Sequence, residues 1–365
     1  MGMFRDDLEK VTPYQPGKPI EEVKRALGLK EVYKLASNEI PFSPLYIRKA
    51  ILKELPYINR YPESGCFCLR KELAQKMKVD EAEIVLGNGS DELIVLTLRA
   101  TIGKDDEVIV AYPTFLIYEI QAQIQGAQIV RVPLKEMKYS LQDIAAKVSN
   151  KTKVIFIANP DNPTGTYVNQ REVEVFLESI PQHILVFFDE AYFEFAPKDF
   201  PKTDAFLRKR GNIIYSRTFS KVYGLAGLRL GYAVTTVEIA GVLNKIREPF
   251  NINRFAQVAA VAALRNKKFL AKTLSYIQQE KRYLYKELKK MEICFFESAT
   301  NFILIDFKTT TKELYEYLLR KGVIVRELRG WGLANFFRVT VGLHKENKKF
   351  IDCFRGYIEK KGERG

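Results

Sequence analysis

The chain has 365 residues and a mass of 42.1 kDa, and 47% of its residues are hydrophobic while 28% are charged. This composition excludes a disordered chain, a collagen-like fibre and a coiled-coil rod. At roughly 150 residues per domain, the length predicts two domains, or one large and one small. No apolar run approaches the ~18 residues of a membrane span and the first thirty residues are charged throughout, so we expect a soluble, cytoplasmic protein without a signal peptide or membrane anchor.

The net charge is +14, from 58 lysine and arginine residues against 44 aspartate and glutamate residues. The basic residues are spread along helix-like stretches, which favours a solvated surface. A basic nucleic-acid-binding protein stays open as a distant alternative, although no basic tail or aromatic–basic stripe supports it. The four cysteines fit no disulfide framework in a chain of this length, and the spacing of Cys66 and Cys68 does not suit zinc. We therefore expect a reducing compartment and no metal site.

Short apolar runs alternate with segments of helical periodicity over the first two thirds of the chain. The runs lack the polar alternation of half-exposed strands, which predicts a largely parallel sheet covered on both faces by helices. This is an α/β architecture. The predicted strands are 83–86, 107–111, 153–158, 184–188 and 212–215, and the predicted helices between them are 91–100, 118–126 and 169–179.

The pattern changes after Pro249, where a smaller α+β domain is predicted. The first 44 residues carry five prolines and little periodicity, which indicates an arm that lies over another part of the protein. We predict an N-terminal arm over 1–44 that packs with the small domain and the active site, a large domain over 45–265 and a small domain over 266–365. The elements predicted after Pro249 are helices 255–265 and 269–291 and strands 293–296, 302–307, 323–325 and 337–341.

Polar residues follow several of the predicted strands, at the sheet edge where open α/β proteins bind ligands. Gly87-Asn-Gly-Ser-Asp-Glu92 begins a helix, and the free N–H groups of a helix start suit a phosphate. The alternative is a plain strand–helix turn. The proline-rich segment Asn159-Pro-Asp-Asn-Pro-Thr-Gly165 makes a rigid turn that presents the amide of Asn162, unless it is an ordinary turn.

Asp189 and Lys221 follow two further predicted strands. A carboxylate after five apolar residues is costly unless it meets a cation or a protonated base, or caps a helix. Lys221 follows the hydroxyl residues Thr218 and Ser220, and Arg229 comes eight positions later. A lysine near other cations in a closed site loses its proton more readily and becomes a carbonyl-reactive amine, whereas the default interpretation is a surface lysine.

Together these groups predict one ligand, pyridoxal 5′-phosphate. Asp189 would face a pyridinium nitrogen, and Lys221 would bond to the aldehyde carbon and carry a proton during catalysis. Asn162 and Tyr192 can both reach a phenolate oxygen. The predicted phosphate cradle consists of Ser90, Asp91, Thr218, Ser220 and Arg229.

The chain resembles the fold-type I aminotransferases and, within them, the histidinol-phosphate aminotransferase family, over nearly its whole length. The resemblance implies a large domain with a mainly parallel central sheet flanked by helices, plus a smaller α+β domain. Many relatives share Asn162-Pro-Thr-Gly165, Asp189-x-Ala-Tyr192, Ser220-Lys221 and Arg229. More particular to this family are Pro13-Tyr-Gln-Pro-Gly17, Leu35-Ala-Ser-Asn-Glu39, Arg60-Tyr-Pro62, Gly87-Asn-Gly-Ser-Asp-Glu92, Asp189-Glu-Ala-Tyr192 with Phe195, and Phe337-Arg-Val-Thr-Val-Gly342.

The resemblance also implies roles that the residues alone do not show. Phe115 would stack on the cofactor ring, where many relatives have tyrosine. Tyr61 would reach the cofactor phosphate of the neighbouring subunit, which implies a homodimer with shared active sites. Tyr14 would belong to an arm that closes over the substrate, and Asn38 would lie beside the substrate.

The implied reaction is transamination between histidinol phosphate and 2-oxoglutarate. Glutamate carries an α-carboxylate, whereas histidinol phosphate carries a phosphate ester, so one cationic site must serve both anions. Arginine suits this task because its planar fork pairs with either group. By resemblance, Arg338 in strand 337–341 is the shared anchor, and Arg326, after strand 323–325, favours the phosphate. The alternative is two surface arginines at strand ends.

One loop departs from the family pattern. Asn38-Glu-Ile-Pro-Phe-Ser-Pro44 replaces the usual Asn-Glu-Asn-Pro-x-Gly-Pro. The fold and cofactor predictions do not depend on this loop, but the choice of substrate does. Two activities of the same fold therefore stay open, an aromatic-amino-acid aminotransferase and a threonine-phosphate decarboxylase.

Overall fold

The computed structural model describes Met3, Arg5, Leu8, Glu9 and residues 11–362. Within these residues, no helix is long and apolar enough to cross a membrane. Short 3-10 turns connect several of the longer elements. The α-helices are α1 Ile20–Leu27, α2 Arg48–Glu54, α3 Phe67–Met77, α4 Ser90–Thr101, α5 Ile117–Ile124, α6 Leu141–Ala146, α7 Gln170–Ser179, α8 Thr203–Arg210, α9 Val237–Ile246, α10 Arg254–Arg265, α11 Lys267–Lys290, α12 Lys312–Arg320 and α13 His344–Gly362.

The strands form two separate sheets in the part of the chain that the structure describes. The larger sheet has seven strands and the smaller has five. The strands are β1 Tyr33–Leu35, β2 Ile84–Gly87, β3 Glu107–Tyr112, β4 Gln128–Pro133, β5 Thr152–Ala158, β6 Leu185–Asp189, β7 Ile213–Thr218, β8 Gly231–Val234, β9 Cys294–Phe295, β10 Phe302–Asp306, β11 Val323–Glu327 and β12 Phe336–Thr340.

The larger sheet is mainly parallel, as the apolar runs predict. Its order is β2-β8-β7-β6-β5-β3-β4, and the neighbours from β7 to β4 are all parallel. Strand β8 runs antiparallel to both of its neighbours. The carboxyl ends of β5, β6 and β7 therefore meet at one edge, which brings the residues that follow them together.

The smaller sheet has the order β1-β11-β12-β10-β9. Strand β1 comes from the N-terminal segment and pairs parallel with β11, with Leu35 opposite Val325. The segment predicted as an arm contributes α1 and β1, two elements that the sequence analysis did not predict. Three residues are too short a run for hydrophobic periodicity to indicate a strand, so pairing with β11 defines it.

Among the described residues, two main hydrophobic cores lie on the two sheets. Buried residues between Cys66 and Ala263 form the larger core, and Leu35 joins buried residues between Ile277 and Phe354 in the smaller one. The long helix α11 spans between these cores, with an apolar stripe that includes Ile277, Leu284 and Leu288. The division into 1–44, 45–265 and 266–365 stays a prediction.

The predicted strands and helices are confirmed with shifts of a few residues at their ends. Strands β4 and β8 were missed: β4 is only partly buried, and β8 is four residues long. Arg326 was predicted to follow its strand, but it lies within β11, because the strand continues to Glu327. Side-chain caps explain several helix starts; Asn253, for example, accepts a hydrogen bond from the backbone N–H of Ala256 at the start of α10.

Candidate active site

A cleft with an empty volume of about 600 Å³ opens at the carboxyl ends of β5, β6 and β7. It contains ten of the residues that the sequence predicts for the cofactor site, drawn from six separate stretches of the chain. The sheet topology brings these stretches together, since parallel strands end at the same edge. The cleft is lined by Ser90, Asp91, Phe115, Tyr118, Ala158, Pro160, Asn162, Asp189, Ala191, Tyr192, Thr218, Ser220, Lys221 and Arg229.

One end of the cleft is an anion cradle at the start of α4. Helix α4 begins at Ser90, so its first backbone N–H groups and its positive dipole end face the cleft. The guanidinium of Arg229 lies beside them and donates to the carboxylate of Asp91 (Nη2–Oδ2 2.9 Å). Gly89 has φ +80°, and a Cβ there would lie 2.5 Å from Nη2 of Arg229. A Cβ on Gly231 would lie 2.6 Å from the backbone nitrogen of Ser90. The cradle therefore needs both glycines.

The other wall of the cradle is the turn after β7. Thr218 ends the strand, and its Oγ1 accepts a hydrogen bond from the backbone N–H of Ser220 (3.1 Å). Both residues are buried. The next residue, Lys221, carries its Nζ to 5.5 Å from the ring centroid of Tyr192. The amine thus lies near Tyr192, one of the residues that follow β6.

Asp189 is a buried carboxylate that meets hydrogen-bond donors but no ion-pairing cation within the described residues. Its Oδ2 accepts a hydrogen bond from the hydroxyl of Tyr118 (2.7 Å), and its Oδ1 accepts one from the backbone N–H of Ala191 (3.1 Å). Burial raises the pKa of Asp189 to about 6, although these two hydrogen bonds lower it. A protonated ring nitrogen beside Asp189 would stabilise the carboxylate that burial destabilises.

Tyr118 was missed by the sequence analysis. It lies on α5, is fully buried and stacks on Phe156 with a centroid separation of 4.9 Å. Burial and the neighbouring Asp189 raise the pKa of its hydroxyl, so it stays protonated and donates. The sequence gives only a weak signal for Tyr118, which lies three residues after the predicted ring-stacking residue Phe115. Phe115 meets Tyr118 edge-on at 5.5 Å.

Asn162 and Tyr192 face the cleft, and neighbouring residues hold both in place. The side-chain oxygen of Asn162 accepts a hydrogen bond from Nη1 of Arg338. The hydroxyl of Tyr192 accepts one from Nδ2 of Asn38 (2.7 Å). Asn38 is buried, and its backbone N–H donates to the hydroxyl of Thr340 (2.9 Å). The small sheet and the N-terminal segment therefore orient two residues of the large sheet.

Arg326 and Arg338 are neighbours on β11 and β12, where they stand opposite each other. Both are buried, which excludes the alternative of surface arginines at strand ends. Neither has a carboxylate within ion-pairing distance among residues 11–362, and burial lowers the pKa of Arg338 to about 10. Nη2 of Arg338 donates to the carbonyl of Ala36 (2.9 Å), and Nη2 of Arg326 donates to that of Gln15 (2.5 Å). Two adjacent buried cations without acidic partners favour an anion.

Tyr14 and Tyr61 do not line the cleft. The ring of Tyr14 lies 5.6 Å from the guanidinium carbon of Arg326, so Tyr14 belongs to the region of the two arginines. Tyr61 is 80% exposed and stacks on Phe250 (4.7 Å), on the outer surface. A contribution of Tyr61 to an active site therefore requires a second chain.

The residues present fit pyridoxal 5′-phosphate. The glycine-bounded cradle suits the phosphate, and the buried Asp189 suits the pyridinium nitrogen. Lys221 supplies an amine to the aldehyde. In the part of the chain that the structure describes, no group of three or more His, Cys, Asp or Glu residues is placed to hold a metal ion.

The fold and this cleft define an aminotransferase that depends on pyridoxal phosphate. Residues 30–354 match the family "Aminotransferase class I and II", and the chain belongs to this family.

Its similar relatives include several histidinol-phosphate aminotransferases. The enzyme of Moorella thermoacetica is 41% identical over 96% of this chain and 92% of its own length. Histidinol-phosphate aminotransferase 2 of Haemophilus influenzae is 42% identical over 94% of each chain. Among solved structures, histidinol-phosphate aminotransferase from Sinorhizobium meliloti in complex with pyridoxal-5'-phosphate superposes with a TM-score of 0.90. It is 26% identical, and the match covers 99% of this chain and 98% of that one.

Proposed function

We propose that the protein is a histidinol-phosphate aminotransferase. It transfers the amino group of L-histidinol phosphate to 2-oxoglutarate, giving 3-(imidazol-4-yl)-2-oxopropyl phosphate and L-glutamate, a step of L-histidine biosynthesis. The observation that carries the proposal is the pair of neighbouring buried arginines without a carboxylate partner among the described residues, Arg326 and Arg338. Arg338 donates a hydrogen bond to Asn162 of the cleft that contains Lys221. The full-length identity of about 40% to enzymes of this name supports it. Because these are biosynthetic enzymes and the four cysteines are free, we place the protein in the cytoplasm.

When bound, pyridoxal 5′-phosphate supplies an aldehyde and an electron-withdrawing ring. Lys221 would supply the amine that holds the aldehyde carbon and would move the proton of the substrate Cα. Asp189 would hold the proton on the ring nitrogen, and Tyr118 orients the Asp189 carboxylate. Asn162 and Tyr192 would hold the phenolic oxygen.

The two substrates differ in the anion that they present. Arg338 is bonded to Asn162 and is therefore the arginine nearer the cofactor, which suits an anchor for the α-carboxylate or the phosphate alike. Arg326 lies one strand further away, beside Tyr14 and Gln15 of the N-terminal segment. We assign Arg326 to the phosphate of histidinol phosphate, and Tyr14 and Asn38 to the wall of the substrate pocket.

The active enzyme is a homodimer in which Tyr61 of the partner subunit reaches the cofactor phosphate. The supporting observation is an apolar surface around Tyr61, made of residues that an isolated chain would leave in water. Several of them are more than half exposed, and all but Phe250 lie between Leu45 and Phe67 in the sequence. It consists of Leu45, Leu52, Leu55, Tyr57, Ile58, Tyr61, Phe67 and Phe250.

A panel of amino donors tests the substrate. Purified protein loaded with pyridoxal 5′-phosphate is mixed separately with histidinol phosphate, phenylalanine, tyrosine and threonine phosphate, and single-turnover rates are followed by the cofactor absorbance. We expect histidinol phosphate to react fastest and Lys221→Ala to react with none of them. Faster reaction with phenylalanine would instead establish an aromatic-amino-acid aminotransferase. Release of carbon dioxide from threonine phosphate would establish the decarboxylase.

A further inference from the structure

Trp331 is the single tryptophan of the chain, and it joins the small sheet to the loop that carries Phe115. It ends the 3-10 turn that follows β11, and it is 3% exposed. Its indole Nε1 donates a hydrogen bond to the carbonyl of Thr114 (2.9 Å), which immediately precedes Phe115. A buried indole N–H needs such a partner, so the bond fixes the direction in which the ring points.

The face of the same ring contacts Arg326. The guanidinium carbon of Arg326 lies 4.8 Å from the indole centroid and 5.6 Å from the ring centroid of Tyr14. Tyr14 in turn meets Trp331 edge-on at 6.4 Å. Aromatic faces stabilise a cation without using its N–H groups. Nε of Arg326 is buried without a hydrogen-bond partner among the described atoms, so it keeps a donor available for an anion.

Packing holds the indole firmly between the two sheets. Trp331 forms a small apolar cluster with Leu304 of the small sheet and with Leu328, which follows β11, and Leu116 from the Phe115 loop packs against this cluster. The next residue, Gly332, has φ +74°, and a Cβ on it would lie 2.5 Å from the hydroxyl of Tyr112. The loop 112–116 and the turn 329–333 therefore pack closely against each other.

We infer that Trp331 is a positioning residue with two separable actions. Its face holds Arg326 in the orientation that receives a phosphate, and its N–H edge ties the Phe115 loop to the small sheet. This inference rests on the proposed function and deepens it, because it assigns the residue that makes Arg326 selective for the phosphate substrate. Trp331 itself touches neither substrate nor cofactor in this scheme.

A fluorescence titration tests the first action without any turnover. Because Trp331 is the single tryptophan, the tryptophan emission of the cofactor-loaded protein reports this residue alone. Inorganic phosphate, which occupies the same donors as a phosphate ester, should change the emission in the unmodified protein. Arg326→Ala should abolish the response or raise the apparent Kd at least about tenfold, since one charge-assisted contact is lost.

Arg329→Ala is the matched control, because Arg329 lies in the same turn but is exposed and paired with Glu327. We expect it to keep the response of the unmodified protein. An equal response in Arg326→Ala, or none in the unmodified protein, would overturn the first action. This titration uses no histidinol phosphate, so its result is independent of the amino-donor panel. The positioning role can therefore be wrong while the proposed function is correct, and the proposed function can be wrong while the positioning role is correct.

Two substitutions of Trp331 separate its face from its edge. Trp331→Phe keeps an aromatic face but has no N–H, whereas Trp331→Leu loses both. The KM for histidinol phosphate should rise less than about threefold in Trp331→Phe and about tenfold in Trp331→Leu, with a smaller rise for glutamate and little change in kcat. Both variants lose the bond to Thr114, so both should weaken the binding of pyridoxal 5′-phosphate by about 3–10-fold in an absorbance titration.

Equal KM values in the two variants would show that the face has no specific role. An unchanged cofactor affinity in both would remove the edge role. Should Trp331→Leu not fold, equal phosphate responses of Arg326→Ala and the unmodified protein would still overturn the first action. In that case the cofactor affinity of Trp331→Phe alone tests the second action, the bond of the indole N–H to the Phe115 loop.

Discussion

A carboxylate buried at the end of β6 creates a requirement for a cation in the cleft. Asp189 has a hydroxyl and a backbone N–H as partners, and its pKa is raised to about 6 by burial. Without a cation beside it, Asp189 is therefore protonated below about pH 6. Binding of a pyridinium must displace that proton, so cofactor affinity and pH are linked.

This linkage predicts a pH-dependent affinity for pyridoxal 5′-phosphate. The Asp189 contribution to affinity should be small at pH 5, should increase as the pH rises through about 6 and should level off above it. Asp189→Asn should remove that part of the pH dependence and lower kcat on the order of 100-fold or more, because a neutral amide cannot stabilise the pyridinium. Absorbance titrations of both proteins between pH 5 and 8 measure the difference. Parallel curves for the two proteins, or a variant with most of its kcat, would refute the role of Asp189.

Lys221 is predicted to be the residue that attaches the cofactor covalently. Lys221→Ala keeps the phosphate cradle and Asp189, so it should still bind pyridoxal 5′-phosphate, but borohydride should no longer fix the cofactor to the protein. Turnover should fall to nearly nothing. Peptide mapping of the reduced, unmodified protein locates the modified lysine. An adduct on any lysine other than Lys221 would show the assignment to be wrong.

Substitutions of Arg338 and Arg326 should affect the two half-reactions differently. Each charge-assisted contact contributes roughly 1.5–3 kcal/mol, so the loss of one costs on the order of 10–150-fold. Arg338→Lys should impair the half-reactions of both glutamate and histidinol phosphate, because a point charge does not replace the planar fork. Arg326→Ala should impair histidinol phosphate more than glutamate. Single-turnover rates with each donor test this, and equal losses in the Arg326 variant would contradict the division of roles.

The sequence was sufficient to predict the residues that follow buried strands, such as Asp189 and Lys221. An apolar run shows where a strand ends, and a polar residue directly after it is easily recognised. The roles of Tyr118 and Trp331 were not predicted from the sequence. Their aromatic rings look like ordinary core residues in a sequence, and their single polar atoms matter only through partners far along the chain. The contact between Trp331 and Thr114 spans 217 positions.

At the scale of elements, the junction between β2 and α4 carries the next prediction. Gly89→Ala adds a Cβ at φ +80° and brings it within 2.5 Å of the Arg229 guanidinium. Strain and the displaced cation should weaken pyridoxal 5′-phosphate binding by about tenfold or more. Gly227→Ala is the control, because its Cβ would meet no atom within 4 Å. Equal cofactor affinities of the two variants in an absorbance titration would show that the cradle tolerates the methyl group.

The elements were predictable to the extent that they are long and apolar. Strands β5 and β6 were placed within a residue or two, since their runs are continuous and buried. Strand β1 is three residues long and is defined by hydrogen bonds to β11. The same limit applies to β8, whose antiparallel direction no periodicity can reveal.

At the scale of the whole molecule, the apolar surface around Tyr61 predicts how the enzyme assembles. Ile58→Asp puts a charge in the middle of this surface, where Ile58 is 70% exposed in the single chain. Burying that charge in a dimer interface would be costly, so the variant should sediment as a monomer and lose activity on dilution. Val237→Asp, at a 55% exposed site on α9, serves as the control. A variant that remains a dimer with full activity would place the interface elsewhere.

The parallel pairing of β1 with β11 has a consequence for the resistance of the protein to aggregation. Strand β1 covers what would otherwise be the open edge of the small sheet, and β11 begins with the apolar run Val323-Ile-Val. An uncovered edge of this kind is a template for adding strands from other molecules. A chain that lacks β1 would therefore expose this edge of β11, and we expect such a chain to aggregate. Strand β1 thus shields the backbone of β11 from other molecules.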